Sequence, residues 1–215
     1  MKINKSLKEI PTPHNDFKES FRSSDRFGAL ISNTQKFLEV HPRTHRMDFQ
    51  GSFAGRLFEE LGYLWYGKQL GTDQRLLDPD ETLQYFLDLY AGMPSQTFLQ
   101  GGILNEYVPD GVILGDGIVG GNAVIVEYTV RGPKPSSLPK YIHHKGVMVG
   151  NLRKRFPEIF GHGRLEIVFT QDTHETIMRT RGLDPRTTLI SAPYKHDEVH
   201  AFAQELVGTH FDLTK

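Results

Sequence analysis

The chain has 215 residues, is 38% hydrophobic and 11% aromatic, and carries a formal net charge of −1. That apolar content can bury a core in one mixed domain and argues against wholesale disorder. The strongly basic balance of many nucleic-acid binders is missing, so any such role must rest on local basic clusters. There is no cysteine, which excludes disulfides and thiolate metal sites and fits a reducing compartment. The first residues lack the apolar core of a signal peptide, and no run is long enough to span a bilayer. The expectation is a soluble, cytoplasmic protein with no membrane partner.

Residues 1–26 are polar, include Pro11 and Pro13, and read as an arm or early loop. A short helix is predicted from Phe27 to Val40, ending before Pro42. His41 to Arg46 is a basic loop. Residues 1–45 are therefore taken as an N-terminal arm with a short helix, and 46–215 as the main domain. From Ser52, a candidate cap, apolar residues recur at helical spacing through Ala54, Leu57, Phe58, Leu61, Leu64 and Trp65. Gly55, Glu59, Gly62 and Tyr66 line a second face, where two glycines imply close approach by another element. Asp78-Pro79-Asp80-Glu81 starts the next helix, with a cap, a first-turn proline and acids at the dipole's positive end.

Three strands are predicted next, over about Thr97–Leu104, Tyr107–Leu114 and Asn122–Arg131, joined by short links that favour an antiparallel meander. The second and third form a hairpin around Gly115-Asp-Gly-Ile-Val-Gly-Gly121. A helix follows from near Leu138 to about Phe156, then strands at Leu165–Phe169 and Thr188–Ala192, and a last helix from Asp197 to Val207. The helix between the third and fourth strands implies a crossover to a parallel neighbour. The fold class is α/β, with a mixed central sheet flanked by helices.

Each hairpin strand carries one acid in an otherwise apolar run, Asp110 in the first and Glu127 in the second. A lone carboxylate in a buried strand is costly unless it is paired, hydrogen-bonded or bound to a cation. Two on adjacent strands can share a divalent metal, which prefers oxygen ligands. Strand alternation puts Glu127, Thr129 and Arg131 on one face. In the following helix, Lys145 falls in the middle of the stripe Leu138, Ile142, Val149, Leu152 and Phe156, where a buried ammonium needs a carboxylate partner. His196 and His200 lie one turn apart on the last helix, without the residue order or third ligand of a zinc site, and read as a solvated helix face.

The segment Gly55-Arg-Leu-Phe58-Glu59, then Pro109-Asp110, then Val126-Glu127-Tyr-Thr129 resembles, in this element order, the PD-(D/E)xK phosphodiesterase superfamily. The resemblance spans roughly residues 52–192 and implies a restriction-endonuclease-like sandwich. It also implies that Glu59, Asp110 and Glu127 hold Mg²⁺ or Mn²⁺ for hydrolysis of phosphodiester bonds, with DNA before RNA as substrate. In that superfamily a Lys two residues after the third-strand Glu orients the attacking water. Here that position is Thr129, and the replacement cation is sought, in order, at Lys145, Lys140 and Arg131. Arg153-Lys154-Arg155, Arg179 and Arg181 are the candidate phosphate-tracking residues. A homodimer is left open. The alternatives are a catalytically inactive relative that binds nucleic acid or a protein partner, and a small-molecule enzyme or unrelated α/β module in which the acids are structural.

Overall fold

The computed structural model describes residues 17–40, 49–91, 107–115, 122–130, 137–171 and 184–211. Seven helices and five strands lie within them. In chain order these are α1 (Phe17–Arg22), α2 (Asp25–Val40), α3 (Phe49–Gly67), β1 (Gln74–Leu76), α4 (Pro79–Ala91), β2 (Gly111–Gly115) and β3 (Val124–Thr129). After them come α5 (Ser137–Arg155), α6 (Pro157–Phe160), β4 (Arg164–Phe169), β5 (Thr187–Ser191) and α7 (His196–His210).

The strands form one sheet in the order β1-β2-β3-β4-β5. β1, β2 and β3 are antiparallel neighbours, whereas β3, β4 and β5 run parallel. The mixed sheet, the β2–β3 antiparallel pair and the parallel step from β3 through α5 to β4 all follow the sequence pattern. The first strand of the antiparallel half does not. Its observed member is the three-residue β1 ahead of α4, too short and polar (Gln74, Arg75) to show alternation. The predicted strand over 97–104 and the Gly-rich turn over 116–121 lie outside the described residues.

The sheet is covered on both faces. Even-numbered residues of β3, Val124, Val126 and Tyr128, join Val168 and Ile190 in a core built with α2, α3 and α7. Odd-numbered Ala123 and Ile125 join Leu165, Ile167, Phe169 and Leu189 under α4, α5 and α6. Every residue of β3 is buried, as a central strand with helices on both sides requires.

α3 is buried along two stripes, one through Phe53, Ala54, Leu57, Phe58 and Leu61, and one through Gly62 and Tyr66. A Cβ placed on Gly62 would lie 2.5 Å from the Tyr128 ring, so only glycine admits this approach of helix to sheet. Gly55, grouped with it by sequence, has open space. Ser52 is not the cap of α3, because the helix starts one turn earlier at Phe49. Asp78 and Glu81 form the reciprocal cap of α4, with Glu81 N–H donating to Asp78 Oδ1 at 2.8 Å and Asp78 N–H to Glu81 Oε2 at 3.1 Å. The stretch before residue 26 is not all arm. Phe17–Arg22 is helical, Phe21 is 1% exposed, and the Phe21 and Phe202 rings meet at 6.2 Å. None of the described helices is long and apolar enough to cross a membrane.

Candidate active site

Two strand ends and two helices converge beside Glu127. Gly111 pairs with Val126 across the antiparallel β2–β3 ladder. One step further, the same register sets Asp110 opposite Glu127, and directly opposed residues share a sheet face. Asp110 lies just ahead of β2, not inside it, and its Oδ2 accepts the backbone N–H of Tyr128 at 2.8 Å. Glu127 itself is fully buried.

A cation reaches Glu127 from α5. Lys145 Nζ lies 2.5 Å from Glu127 Oε2, with the lysine side chain 17% exposed. The helix stripe that isolates Lys145 among apolar residues is the buried one, with Ile142, Val149, Leu152 and Phe156 all in the core. The same helix phase presents Lys145 to the sheet. Lys140 is exposed, and Arg131 lies outside the described residues. Thr129 is buried at 6% exposure two residues beyond Glu127.

Two tyrosines complete the cluster. Tyr107 donates its hydroxyl to Glu127 Oε1. The Tyr141 hydroxyl is 3.3 Å from Glu127 Oε2 and 3.4 Å from the Tyr128 carbonyl oxygen. Lys145 Nζ sits over both rings, 5.2 Å from the Tyr107 centroid and 5.5 Å from that of Tyr141. The sequence reading missed both. The available signals were Tyr141 one helical turn before Lys145 and Tyr107 three residues before Asp110.

Glu59, on α3, faces the cluster electrostatically. Its carboxyl is pushed up to about 8, first by burial and then by the negative charge of Asp110. Glu60 is committed elsewhere. Arg26 grips it with two hydrogen bonds of 2.6 and 2.9 Å and reaches Asp78 at 3.1 Å, tying α2 to α3 and to the cap of α4. Of the two adjacent acids, Glu59 is therefore the one whose carboxyl feels the charge of Asp110.

Burial and mutual repulsion dominate the electrostatics. Glu127 is pushed up to about 8 by burial and then by Asp110, against the pull of Lys145 and Tyr107. Asp110 is raised by burial, against the opposing effects of Lys145 and the Tyr128 amide. Burial, then Glu127, raises the Tyr107 phenol. Burial thus disfavours the ionised form of all three carboxyls, Glu59, Asp110 and Glu127. Among the described residues no group of three or more His, Cys, Asp or Glu side chains has the geometry to hold a metal ion. The converging pair Asp110 and Glu127 matches the one or two carboxylates with which Mg²⁺ is commonly held beside substrate phosphates.

The basic residues at the end of α5 have separate surroundings. Arg153 is buried, with Nε and a terminal nitrogen donating to the Gly163 carbonyl at 3.0 and 2.8 Å and another pairing with Asp184 at 2.9 Å. It locks α5 to the turn before β4. Arg155 stacks over Tyr90, 4.9 Å from its centroid, while Lys154 is exposed. Arg179 and Arg181 lie outside the described residues. The His196 and His200 rings are half-buried and pack 4.3 Å apart, so that helix face is not simply solvated.

No family model matches this chain, and neither does any curated protein or solved structure.

Proposed function

We propose that the chain is a divalent-metal-dependent phosphodiesterase acting on nucleic acid, with a restriction-endonuclease-like arrangement of its site and DNA as the preferred substrate. The observation carrying this reading is the meeting of Asp110, Glu127 and Lys145 at one place although the usual lysine position holds Thr129. Asp110 and Glu127 would hold Mg²⁺ or Mn²⁺, with Glu59 close enough to adjust the local charge. When bound, the ion supplies charge neutralisation of the phosphate, acidification of a water and stabilisation of the leaving oxygen. Lys145 brings a positive nitrogen to the carboxylate pair. There it can orient the attacking water and offset charge developing on the phosphoryl oxygens. The phosphates are to be tracked by Lys154 and by basic residues of the 172–183 segment, because Arg153 is spent on the fold. A reducing, cytoplasmic setting fits the cysteine-free composition.

The test is cleavage of plasmid and single-stranded DNA with Mg²⁺ or Mn²⁺. Activity should disappear with EDTA and fall at least about a hundredfold in Asp110→Asn, as expected for a group acting on transition-state charge. Metal-dependent cleavage that survives Asp110→Asn and Glu127→Gln would refute the assignment.

A second reading is a catalytically inactive relative that binds nucleic acid or a protein. It is favoured by the crowding of Glu127, whose two oxygens already engage Tyr107, Lys145 and Tyr141. Salt-dependent DNA binding without cleavage is its signature.

A further inference from the structure

We infer that Tyr107 and Tyr141 are positioning residues: their rings form an aromatic cage that holds the Lys145 ammonium on Glu127, doing for a helix lysine what strand geometry would do for a lysine at position 129. This inference rests on the phosphodiesterase reading for its catalytic meaning, but the cage itself can be tested without it.

A lysine on a strand two residues from the glutamate is oriented by the pleat, because alternation fixes its direction. A lysine reaching from α5 has a flexible four-carbon stem and strongly hydrated donors, and would sample many rotamers. Two features of the site remove that freedom. The ammonium lies over both ring faces, at 5.2 and 5.5 Å, an attraction that strengthens when water is excluded. The same tyrosines bond through their hydroxyls to the glutamate that the lysine contacts, at Oε1 from Tyr107 and Oε2 from Tyr141. Each therefore fixes both members of the ion pair, the cation by its ring and the anion by its hydroxyl. The two rings arrive from different elements. Tyr141 comes from α5, four residues before Lys145, and Tyr107 from the segment entering β2. Tyr107 is anchored in turn, because its carbonyl oxygen accepts the Tyr90 hydroxyl of α4 at 2.7 Å.

The cage predicts that ring and hydroxyl have separable effects. The decisive experiment is reductive methylation of the metal-free protein, with labelling of each lysine followed by mass spectrometry. In the wild type, Lys145 should react several-fold more slowly than exposed Lys140 and Lys154. Tyr107→Leu or Tyr141→Leu should raise the Lys145 rate toward theirs, whereas the Phe variants should leave it slow. Should the Leu variants fail to fold, ¹³C-lysine NMR of the wild type gives the same answer. The Lys145 ε-methylene resonance, identified by its loss in Lys145→Arg, should be shifted upfield by the rings. Folded Leu variants with unchanged Lys145 labelling, or an unshifted resonance, would overturn the cage.

If the protein cleaves phosphodiesters, Tyr107→Phe and Tyr141→Phe should lower kcat with KM unchanged, and the Leu variants should lower kcat further. Equal losses for Phe and Leu would remove the ring from the explanation. An inactive wild type with slow Lys145 labelling would leave the cage standing and refute the phosphodiesterase reading alone.

Discussion

Glu127 shows how one residue's burial can set the terms for its neighbours. A fully buried carboxylate needs either a proton or polar and cationic partners, and this one has Lys145 and two phenols. Asp110 and Glu127 could be picked out from the sequence because acids stand out inside β-branched runs. Lys145 could be picked out because it interrupts an apolar helical stripe. Tyr107 and Tyr141 were harder to pick out, since their spacing to Asp110 and Lys145 competes with an adequate explanation in packing alone. The relation between Lys145 and Thr129 gives an expectation at this scale. Lys145→Ala should abolish metal-dependent cleavage, and adding Thr129→Lys to it should restore part of the activity. Position 129 shares the face of Glu127 and is where a strand lysine would lie. Steady-state kinetics of the two variants checks this. No gain in the double variant, with the fold intact by circular dichroism, would mean that the helix lysine is not the substitute for the strand one.

At the scale of elements, α3 does two jobs that the sequence only half reveals. Its glycine-lined second face implied close approach by another element, and at Gly62 this is the observed packing. Pattern alone could not tell which glycine mattered, because both lie about one helical turn from Glu59. Their surroundings separate them. Gly62 sits against the Tyr128 ring on β3, one residue from Glu127, while Gly55 faces open space. Gly62→Ala should cost about 1–3 kcal/mol of stability through overpacking against a ring that has no room to retreat. Gly55→Ala should gain up to about 1 kcal/mol from helix propensity. Thermal melts of the two variants should therefore move in opposite directions. β1 was illegible for a different reason, since three residues with two polar side chains show no period. It is strand only because the edge of β2 offers it a ladder. The start of α3 was misplaced because Ser52 is a good cap residue, yet Phe49 and Phe53 stack at 6.1 Å and carry the helix back by a turn.

For the whole molecule, the acids of the site oppose the fold at neutral pH. Glu59 and Glu127 both move from an ordinary 4.5 to about 8. Asp110 and Glu60 are also raised. The unfolded chain releases the Glu59 and Glu127 protons above about pH 4.5, whereas the native protein retains them until about pH 8. Bound protons are therefore more numerous in the native state across that window, and stability falls as pH rises through it. Melting temperature in EDTA should decline from about pH 5 to 8. Glu127→Gln should flatten the decline, and Mg²⁺ should offset it if the site binds the ion. A melting temperature that rises with pH over this range would contradict the electrostatic description of the cluster. The same opposition explains why the general architecture was readable and the site only partly so. Core strands and helices obey periodicity, while the candidate site departs from it by placing charge where the pattern asks for hydrocarbon.

Asp110 holds the Tyr128 amide with one oxygen and faces Glu127 with its carboxyl. A single N–H deep in the central strand thus senses the protonation and occupancy of the site through one covalently connected group. That amide is a built-in spectroscopic probe: its resonance and exchange rate register what happens at Asp110 without any label being attached. It also distinguishes asparagine from alanine at position 110. Asparagine keeps an acceptor for the amide and removes only the charge, whereas alanine opens the end of the ladder as well.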